Sequence, residues 1–190
     1  MRRHSLYAIA TMAAVLPGIA HADEIGNAIG EAARAYQGGN SAATRTLLQE
    51  ALQFLSQRTT DKLGTALPPA LPGWQPIDRQ PRIAGTASVG GGNQATRWYR
   101  NPQGQTVEIR ITADSPVLGQ LTLVMTNPAI SDTMAKAIRI GNQNAIQTSN
   151  NEIQMLVNDR ILIAVTGSAP IDAKQAFAES IDLTKFAGWR

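Results

Sequence analysis

The sequence predicts an α+β protein in which an N-terminal helical hairpin precedes an antiparallel sheet with helices packed on it. Apolar residues recur with the period of a helix through residues 23–65 and alternate with the period of a strand after residue 75. The prolines of residues 66–74 cannot continue a helix and favour extended backbone. We therefore expect a leader at 1–22, the helical hairpin at 23–65, a proline-rich linker at 66–74 and an α+β antiparallel-sheet domain at 75–190.

The first 22 residues have the composition of a secretory signal peptide. A basic start at residues 2–3 precedes an apolar run of 11 residues at 6–16, which is shorter than the roughly 20 residues that span a bilayer. Residues 20–22 (Ala-His-Ala) then give the small-x-small pattern that signal peptidase cleaves. We expect cleavage between Ala22 and Asp23, and a mature chain that works in the periplasm or is secreted.

Removal of this leader is expected to leave a chain with almost no net charge. The full sequence has 17 basic and 14 acidic residues, and the leader holds two of the basic residues and none of the acidic ones. A near-neutral chain has little electrostatic attraction for nucleic acid or for an anionic membrane. No apolar run after residue 22 reaches the length of a transmembrane helix. We therefore expect neither a nucleic-acid partner nor a membrane span in the mature chain.

Residues 23–65 predict two amphipathic helices joined by a short turn. In the first helix, six apolar residues share one helical face, namely Ile25, Ala28, Ile29, Ala32, Ala33 and Tyr36. Gly38 and Gly39 end this helix, and Ser41 is expected to cap the next one. The second helix has a leucine-rich face, whose candidate partner-contact residues are Leu47, Leu48, Leu52 and Leu55. Two such helices carry more apolar area than they bury against each other, so this face either packs on the sheet or contacts a partner.

Beyond the prolines, the sequence predicts strands that are separated by turns. Residues 97–100 and 106–112 flank a turn that contains proline and glycine, and they predict a β-hairpin. The apolar segment at 117–125 predicts a short helix. Four more strands are predicted at residues 137–140, 144–148, 152–157 and 160–166, with a tight turn at 158–159. A closing helix is predicted over residues 171–186.

The distribution of histidine and cysteine argues against most kinds of catalysis. The chain has no cysteine, and its two histidines, His4 and His21, both lie in the predicted leader. Histidine is the usual general base near neutral pH, and histidine and cysteine supply most ligands of zinc, copper, haem and iron–sulfur groups. We therefore expect the mature chain to have no catalytic residues of these classes, no cofactor and no metal site, and to be a non-enzyme.

Carboxylate and lysine chemistry is the remaining catalytic possibility. A pair of carboxylates could hydrolyse a glycoside. The candidate carboxylates are Glu108, Asp114, Glu152 and Asp159. All four fall at strand or turn positions that are predicted to face solvent, which does not favour catalysis. Ser131 and Lys136 could form a Ser–Lys dyad, but nothing in their spacing requires one. No cluster of oxygen ligands with the spacing of a calcium loop is present.

Two further segments have alternative interpretations. Residues 90–93 (Gly-Gly-Gly-Asn) could hold a phosphate through backbone N–H groups, but no lysine and helix follow as in phosphate-binding loops, so a plain loop is expected. Residues 97–100 (Arg-Trp-Tyr-Arg) mix basic and aromatic side chains, as single-strand nucleic-acid binders do. In a strand these side chains alternate between the two faces, so Trp98, like Trp74, is expected to serve packing.

Taken together, the landmarks of the chain resemble a family of uncharacterised proteobacterial periplasmic proteins. These landmarks are the leader, the helical hairpin, and the segments 71–74 (Leu-Pro-Gly-Trp), 114–116 (Asp-Ser-Pro), 127–128 (Asn-Pro), 140–141 (Ile-Gly), 157–160 (Val-Asn-Asp-Arg) and 181–183 (Ile-Asp-Leu). The resemblance implies a periplasmic location and no particular activity. The C-terminal two-thirds is similar to the Mog1/PsbP-like fold, an antiparallel sheet between helices. That similarity implies the accessory or assembly role that most proteins of the fold have, although a fold does not fix a function.

These observations favour an exported, non-enzymatic protein that binds an envelope protein or an apolar ligand as an accessory or assembly factor. One alternative is a carboxylate-dependent hydrolase of cell-wall or polysaccharide material. Another is an inhibitor or immunity-type protein, which needs only a complementary surface.

Overall fold

The computed structural model describes residues 20–78, 92–116, 118 and 135–189. Most of the predicted leader, nearly all of the helix predicted at 117–125, and Ser131 lie outside these residues. Within them the protein has an α+β fold: a pair of helices, then an antiparallel sheet, then a helix. The predicted fold class is thus confirmed.

The described elements follow one another in a simple order. The helices are α1 (Ala20–Gln37), α2 (Ser41–Gly64) and α3 (Ile171–Glu179), followed by a 3₁₀ helix (Leu183–Phe186). The strands are β1 (Gln75–Ile77), β2 (Asn93–Arg100), β3 (Thr106–Ala113), β4 (Ala135–Ile140), β5 (Gln143–Thr148), β6 (Ile153–Val157) and β7 (Ile161–Thr166). The predicted cleavage site after Ala22 lies within the first turn of α1.

The described strands form one seven-stranded antiparallel sheet in the order β1-β2-β3-β7-β6-β5-β4. Each predicted strand is present, and β1 is an additional edge strand that the sequence analysis did not anticipate. The turn between β6 and β7 contains Asn158 and Asp159, which both have positive φ. Such residues give the tight turn that matches the twist of a hairpin, as the sequence predicted.

The main hydrophobic core is built on one face of the sheet. The centre pairs β3 with β7, where Ile109 lies opposite Val165 and Ile111 lies opposite Ile163. All four of these side chains are fully buried. Phe177 of α3 belongs to the same buried cluster, and its ring centroid lies 4.4 Å from that of Tyr99. The strands alternate buried and partly exposed residues, because successive side chains point to opposite faces.

The chain divides into two compact units, Met1–Leu55 and Ser56–Arg190, and the boundary lies inside α2. The sequence instead predicts a boundary in the linker at 66–74. The difference arises because Leu63, Ala66 and Leu67 are buried in the core of the sheet unit. The C-terminal end of α2 and the segment after it therefore belong to the sheet unit.

The proline-rich segment is bound to the sheet through its carbonyl groups. The Pro68 carbonyl accepts hydrogen bonds from the Tyr99 hydroxyl at 2.6 Å and from Arg97 Nη1 at 3.0 Å, and Arg97 also donates to the Leu67 carbonyl at 3.1 Å. Buried carbonyls need such partners when no helix or strand supplies them. Farther along, the Trp74 ring packs edge-on against Phe177 at 5.2 Å. This segment is a structural part of the sheet unit.

The closing helix predicted over residues 171–186 is two shorter elements. The α-helix ends at Glu179, and the 3₁₀ helix begins at Leu183. Asp182 causes the restart because its carboxylate accepts a hydrogen bond from the Thr184 backbone N–H at 3.1 Å. Aspartate favours such capping positions, and here it caps the new helix.

Candidate functional site

The two helices of the N-terminal unit meet along a seam of small side chains. Ala28 and Ala32 of α1 and Ala51 of α2 are buried, and Leu47 and Phe54 are half-buried. Side chains at a helix contact set how closely the two axes approach, so alanines allow a close approach. The seam accordingly uses little of the apolar area that the two helices carry.

The turn that joins these helices differs in one detail from the prediction. The Asn40 side chain, rather than that of Ser41, accepts a hydrogen bond from the Ala43 backbone N–H at 3.1 Å. Asparagine is among the best N-cap residues. Gly39 has φ +74, which is the left-handed conformation that commonly ends a helix. The turn is therefore well defined at both of its ends.

Large apolar side chains lie exposed beside the seam. Ile29 and Tyr36 of α1 are 51% and 74% exposed, and Leu48, Leu52 and Leu55 of α2 are 46%, 62% and 49% exposed. We call these five residues the apolar face. On α1, Ile29 and Tyr36 lie seven positions apart. On α2, Leu48 and Leu55 also lie seven positions apart, with Leu52 between them. Helical periodicity places residues at these spacings on one side of a helix.

Three of the four leucines nominated from the sequence belong to the apolar face. Leu47 is the exception, because it turns towards the seam and is half-buried. The sequence predicts Ile29 and Tyr36 on the single apolar side of the first helix and does not predict them as contact residues. The apolar side of α1 is wider than the seam, so only its alanine stripe is buried.

The apolar face contains a shallow groove of about 350 Å³. Its described lining residues are Tyr36, Ser41, Thr44, Arg45, Leu48, Gln49 and Leu52. Among these, Arg45 alone carries a charge, and it lies near the turn. A groove with apolar walls and few charges accepts an apolar side chain from a partner more readily than it accepts a polar ligand.

The opposite side of the seam is acidic. A smaller cleft of about 250 Å³ is lined by Glu24, Asn27 and Glu31 of α1 and by Glu50 and Phe54 of α2, together with Ala28. On both helices the buried alanines lie between these glutamates and the apolar face, as the helical period requires. None of these three glutamates is among the candidate residues predicted from the sequence. In the described part of the chain no group of three or more acidic, histidine or cysteine residues is arranged to hold a metal ion.

The four carboxylates that the sequence analysis nominated are dispersed over the sheet unit. Glu108 forms an ion pair with Arg110, and Asp114 pairs with Arg160 at 2.5 Å. Asp159 is exposed in the β6–β7 turn, where it lines a depression of about 750 Å³ on strands β4 to β6. It is the one acidic residue among the described lining residues of that depression. The described lining therefore contains no carboxylate pair of the kind that glycoside hydrolysis needs.

A lysine that the sequence analysis did not nominate is the most buried charged group of the described residues. Lys174 of α3 is 2% exposed, and its Nζ donates a hydrogen bond of 2.8 Å to the Asn151 carbonyl. Burial lowers the pKa of Lys174, and the neighbouring Glu152 carboxylate partly opposes this effect. The contact joins α3 to the turn between β5 and β6. Lys136, by contrast, is exposed on β4, and its suggested partner Ser131 lies outside the described residues.

The glycine and aromatic segments have structural roles where they are described. Gly92 has φ +105, and a Cβ there would lie 2.7 Å from the Ala113 carbonyl oxygen, so close packing on β3 accounts for this glycine. Arg97 and Tyr99 point to the core face, where both bind the proline-rich segment. Trp98 lies on the other face and is half-buried, so the strand does not present both aromatic rings together.

Neither the described helices nor the comparisons with known proteins indicate a functional class. None of the described helices combines the length and the apolar character that crossing a membrane demands. Comparison of the chain with family models, with curated proteins and with solved structures gives no match. The case for a function therefore depends on the geometry of the chain itself.

Proposed function

We propose that the protein is an exported, non-enzymatic binding protein that serves as an accessory or assembly factor for an envelope protein. The apolar face of the N-terminal helices is its docking surface. The observation that carries this proposal is the exposure of Ile29, Tyr36, Leu48, Leu52 and Leu55 on one side of the helix pair.

The arrangement of side chains by size supports docking. In a helix pair that has no binding partner, we would expect large apolar residues to fill the seam. Burial of a leucine or isoleucine side chain stabilises the folded state by about 1.5–3 kcal/mol. Here alanines are the buried residues of the seam, Leu47 and Phe54 are only half-buried, and the large residues of the apolar face remain exposed. Clusters of exposed apolar residues on soluble proteins mark contact sites. Leucine, isoleucine and tyrosine on a partner-facing surface supply the apolar contact area that binding needs.

The composition of the predicted leader supports a location in the periplasm or outside the cell. A basic start, an apolar run and a small-x-small site occur in the order that export requires. Cleavage after Ala22 removes only the first turn of α1. Because all five residues of the apolar face follow that site, the mature protein keeps the docking surface.

The non-enzymatic assignment is supported by the residues that survive cleavage. Neither histidine lies after Ala22, and the chain has no cysteine. The hydrolase alternative needs two carboxylates that face one substrate, whereas Glu108 and Asp114 are each paired with an arginine. An inhibitor or immunity-type protein would use the same apolar face and would differ only in its partner.

Quantitative affinity purification tests this proposal with a matched pair of variants. Tagged wild type, Leu52→Glu and Gln53→Glu are recovered from envelope extracts of the native host, and co-purifying proteins are quantified by mass spectrometry. Gln53 is also exposed, but it faces away from the apolar face, so its variant controls for the added charge. We expect an envelope protein that the wild type and Gln53→Glu retain and that Leu52→Glu loses at least tenfold. Equal recovery by all three would contradict docking at this face.

A further inference from the structure

We infer that the apolar face pairs with the same face of a second copy, so that the free protein is a dimer held by a four-helix bundle. This inference rests on the proposed function, because it concerns the same surface and names its resting occupant. An envelope partner would then compete with the second copy for the face.

The spacing of the exposed residues fits a helix bundle. Leu48, Leu52 and Leu55 are separated by four and then three residues, and Ile29 and Tyr36 lie seven apart on α1. This is the repeat by which helices pack side by side in coiled coils and bundles. A helical hairpin that presents one such row on each helix offers half of a four-helix bundle. A second identical hairpin supplies the other half.

The area of the face also fits a pair of identical surfaces. Leucine, isoleucine and tyrosine residues have full areas of about 200–250 Å², so the five partly exposed residues present roughly 600 Å². Complete burial of these residues in two copies would remove about 1,200 Å² from solvent, which reaches the lower limit of specific interfaces. Flanking residues of the groove would add to that area.

The charges of the helix pair favour contact between two apolar faces. Glu24, Glu31 and Glu50 line the opposite side, so they remain in solvent and do not repel each other across the contact. The apolar groove contains one charged residue among its described lining, Arg45. Like charges therefore do not meet at the centre of such a pair.

Arg45 further indicates an antiparallel arrangement about a two-fold axis near Leu52. Arg45 lies seven residues from Leu52, or about 10 Å along the helix. An antiparallel pair would hold the two Arg45 side chains about 20 Å apart, beyond the screening length of physiological salt. It would also place Leu48 of each copy opposite Leu55 of the other. A parallel pair would instead place the two Arg45 side chains at the same level of the bundle.

Sedimentation analysis of the purified mature chain tests the pairing. We expect a concentration-dependent dimer for the wild type and for Gln53→Glu. Leu52→Glu is expected to raise the dimer dissociation constant at least a hundredfold with an unchanged far-ultraviolet circular dichroism spectrum. A wild type that stays monomeric up to about 1 mM, or a Leu52→Glu dimer as stable as the wild type, would overturn the inference. In either case, an envelope protein that binds through Leu52 would leave the proposed function standing.

Because the chain has no cysteine, single thiols can report the orientation of the pair. Leu48→Cys and Leu55→Cys proteins are mixed, oxidised and resolved by mass. We expect the disulfide between the two different variants to form at least fivefold faster than either homodimeric disulfide. A Gln53→Cys protein, with its thiol on the other side of α2, should form none at comparable concentration. Preferential Leu48→Cys homodimers, or efficient Gln53→Cys crosslinking, would overturn the antiparallel pair.

Discussion

The Tyr99 hydroxyl donates a 2.6 Å hydrogen bond to the Pro68 carbonyl across 31 residues of sequence. Tyr99 is fully buried on β2, and Pro68 lies in the proline-rich segment after α2. Arg97 donates to the same carbonyl at 3.0 Å. Together these bonds attach the end of α2 to the sheet, although the sequence of this segment is that of a linker.

Replacement of this hydroxyl should weaken the sheet unit modestly. Tyr99→Phe removes one hydrogen bond but leaves the Pro68 carbonyl bound to Arg97, so we expect a loss of about 1 kcal/mol in the free energy of unfolding. Burial raises the pKa of the Tyr99 phenol, and Arg97 partly opposes this effect. The unfolded chain therefore loses this proton first, and wild-type stability should fall as pH rises above the ordinary tyrosine value of about 10. Urea unfolding of both proteins checks this, and an equally steep fall in Tyr99→Phe would contradict it.

The position of the unit boundary within α2 can be tested with two leucines of the same helix. Leu63 is fully buried, whereas Leu55 is 49% exposed. Leu63→Ala should destabilise the sheet unit by about 2–5 kcal/mol because it leaves a cavity. Leu55→Ala should change the free energy of unfolding of the sheet unit by less than about 0.5 kcal/mol, because Leu55 lies outside the core of that unit. Thermal or urea unfolding of the two variants measures these changes. Similar losses of stability in both would contradict a unit boundary between Leu55 and Leu63.

Lys174 gives a prediction about alkaline pH. Since burial lowers its pKa from the ordinary value of 10.5, the folded chain releases this proton at lower pH than the unfolded chain does. Between the lowered and the ordinary pKa the unfolded state binds more protons, so this group makes stability rise with pH. Lys174→Met should remove that rise. Urea unfolding series from pH 7 to pH 10 measure the difference between the two proteins, and parallel curves would show that Lys174 is not the titrating group.

Gly104 and Gly167 allow the cost of a left-handed backbone to be measured separately from the cost of a steric clash. Gly104 has φ +79, and a Cβ added there would meet no atom within 4 Å, whereas at Gly167, with φ +116, a Cβ would overlap the Thr106 carbonyl. Gly104→Ala should cost about 1–2 kcal/mol from its left-handed backbone alone. Gly167→Ala should cost at least about 2 kcal/mol more, because Thr106 and the adjoining backbone must also move. Equal unfolding free energies for the two variants would show that the β7–α3 connection is not tightly packed.

The strands and helices were largely predictable because each depends on a local period. The alternation in residues 106–112 and 160–166 gave β3 and β7 to within a residue. The break after Glu179 was missed because it depends on the side chain of Asp182, which the apolar pattern does not include. α2 ends at Gly64, one residue before the predicted end of the hairpin, but the apolar pattern does not indicate where one compact unit gives way to the next. The helical period runs unbroken from Leu47 to Leu63, although these two ends of α2 belong to different units.

The candidate face was only partly predictable for a related reason. The pattern of α1 shows that Ala28, Ile29 and Ala32 share a side, but not which part of that side the neighbouring helix covers. Burial of the alanines and exposure of Ile29 follow from where α2 packs, which is a tertiary fact. The acidic cleft was missed because Glu24 and Glu50 come together only when the two helices pair.

The docking claim is tested most directly by a photo-crosslinking amino acid placed at single positions in cells of the native host. Position 52 lies on the apolar face, and position 31 lies on the acidic side of the same helix pair. We predict that the probe at Leu52 forms crosslinks to protein partners, including a second copy, and that the probe at Glu31 forms few or none. Equal crosslinking from both positions, or none from position 52 in correctly exported protein, would contradict the account.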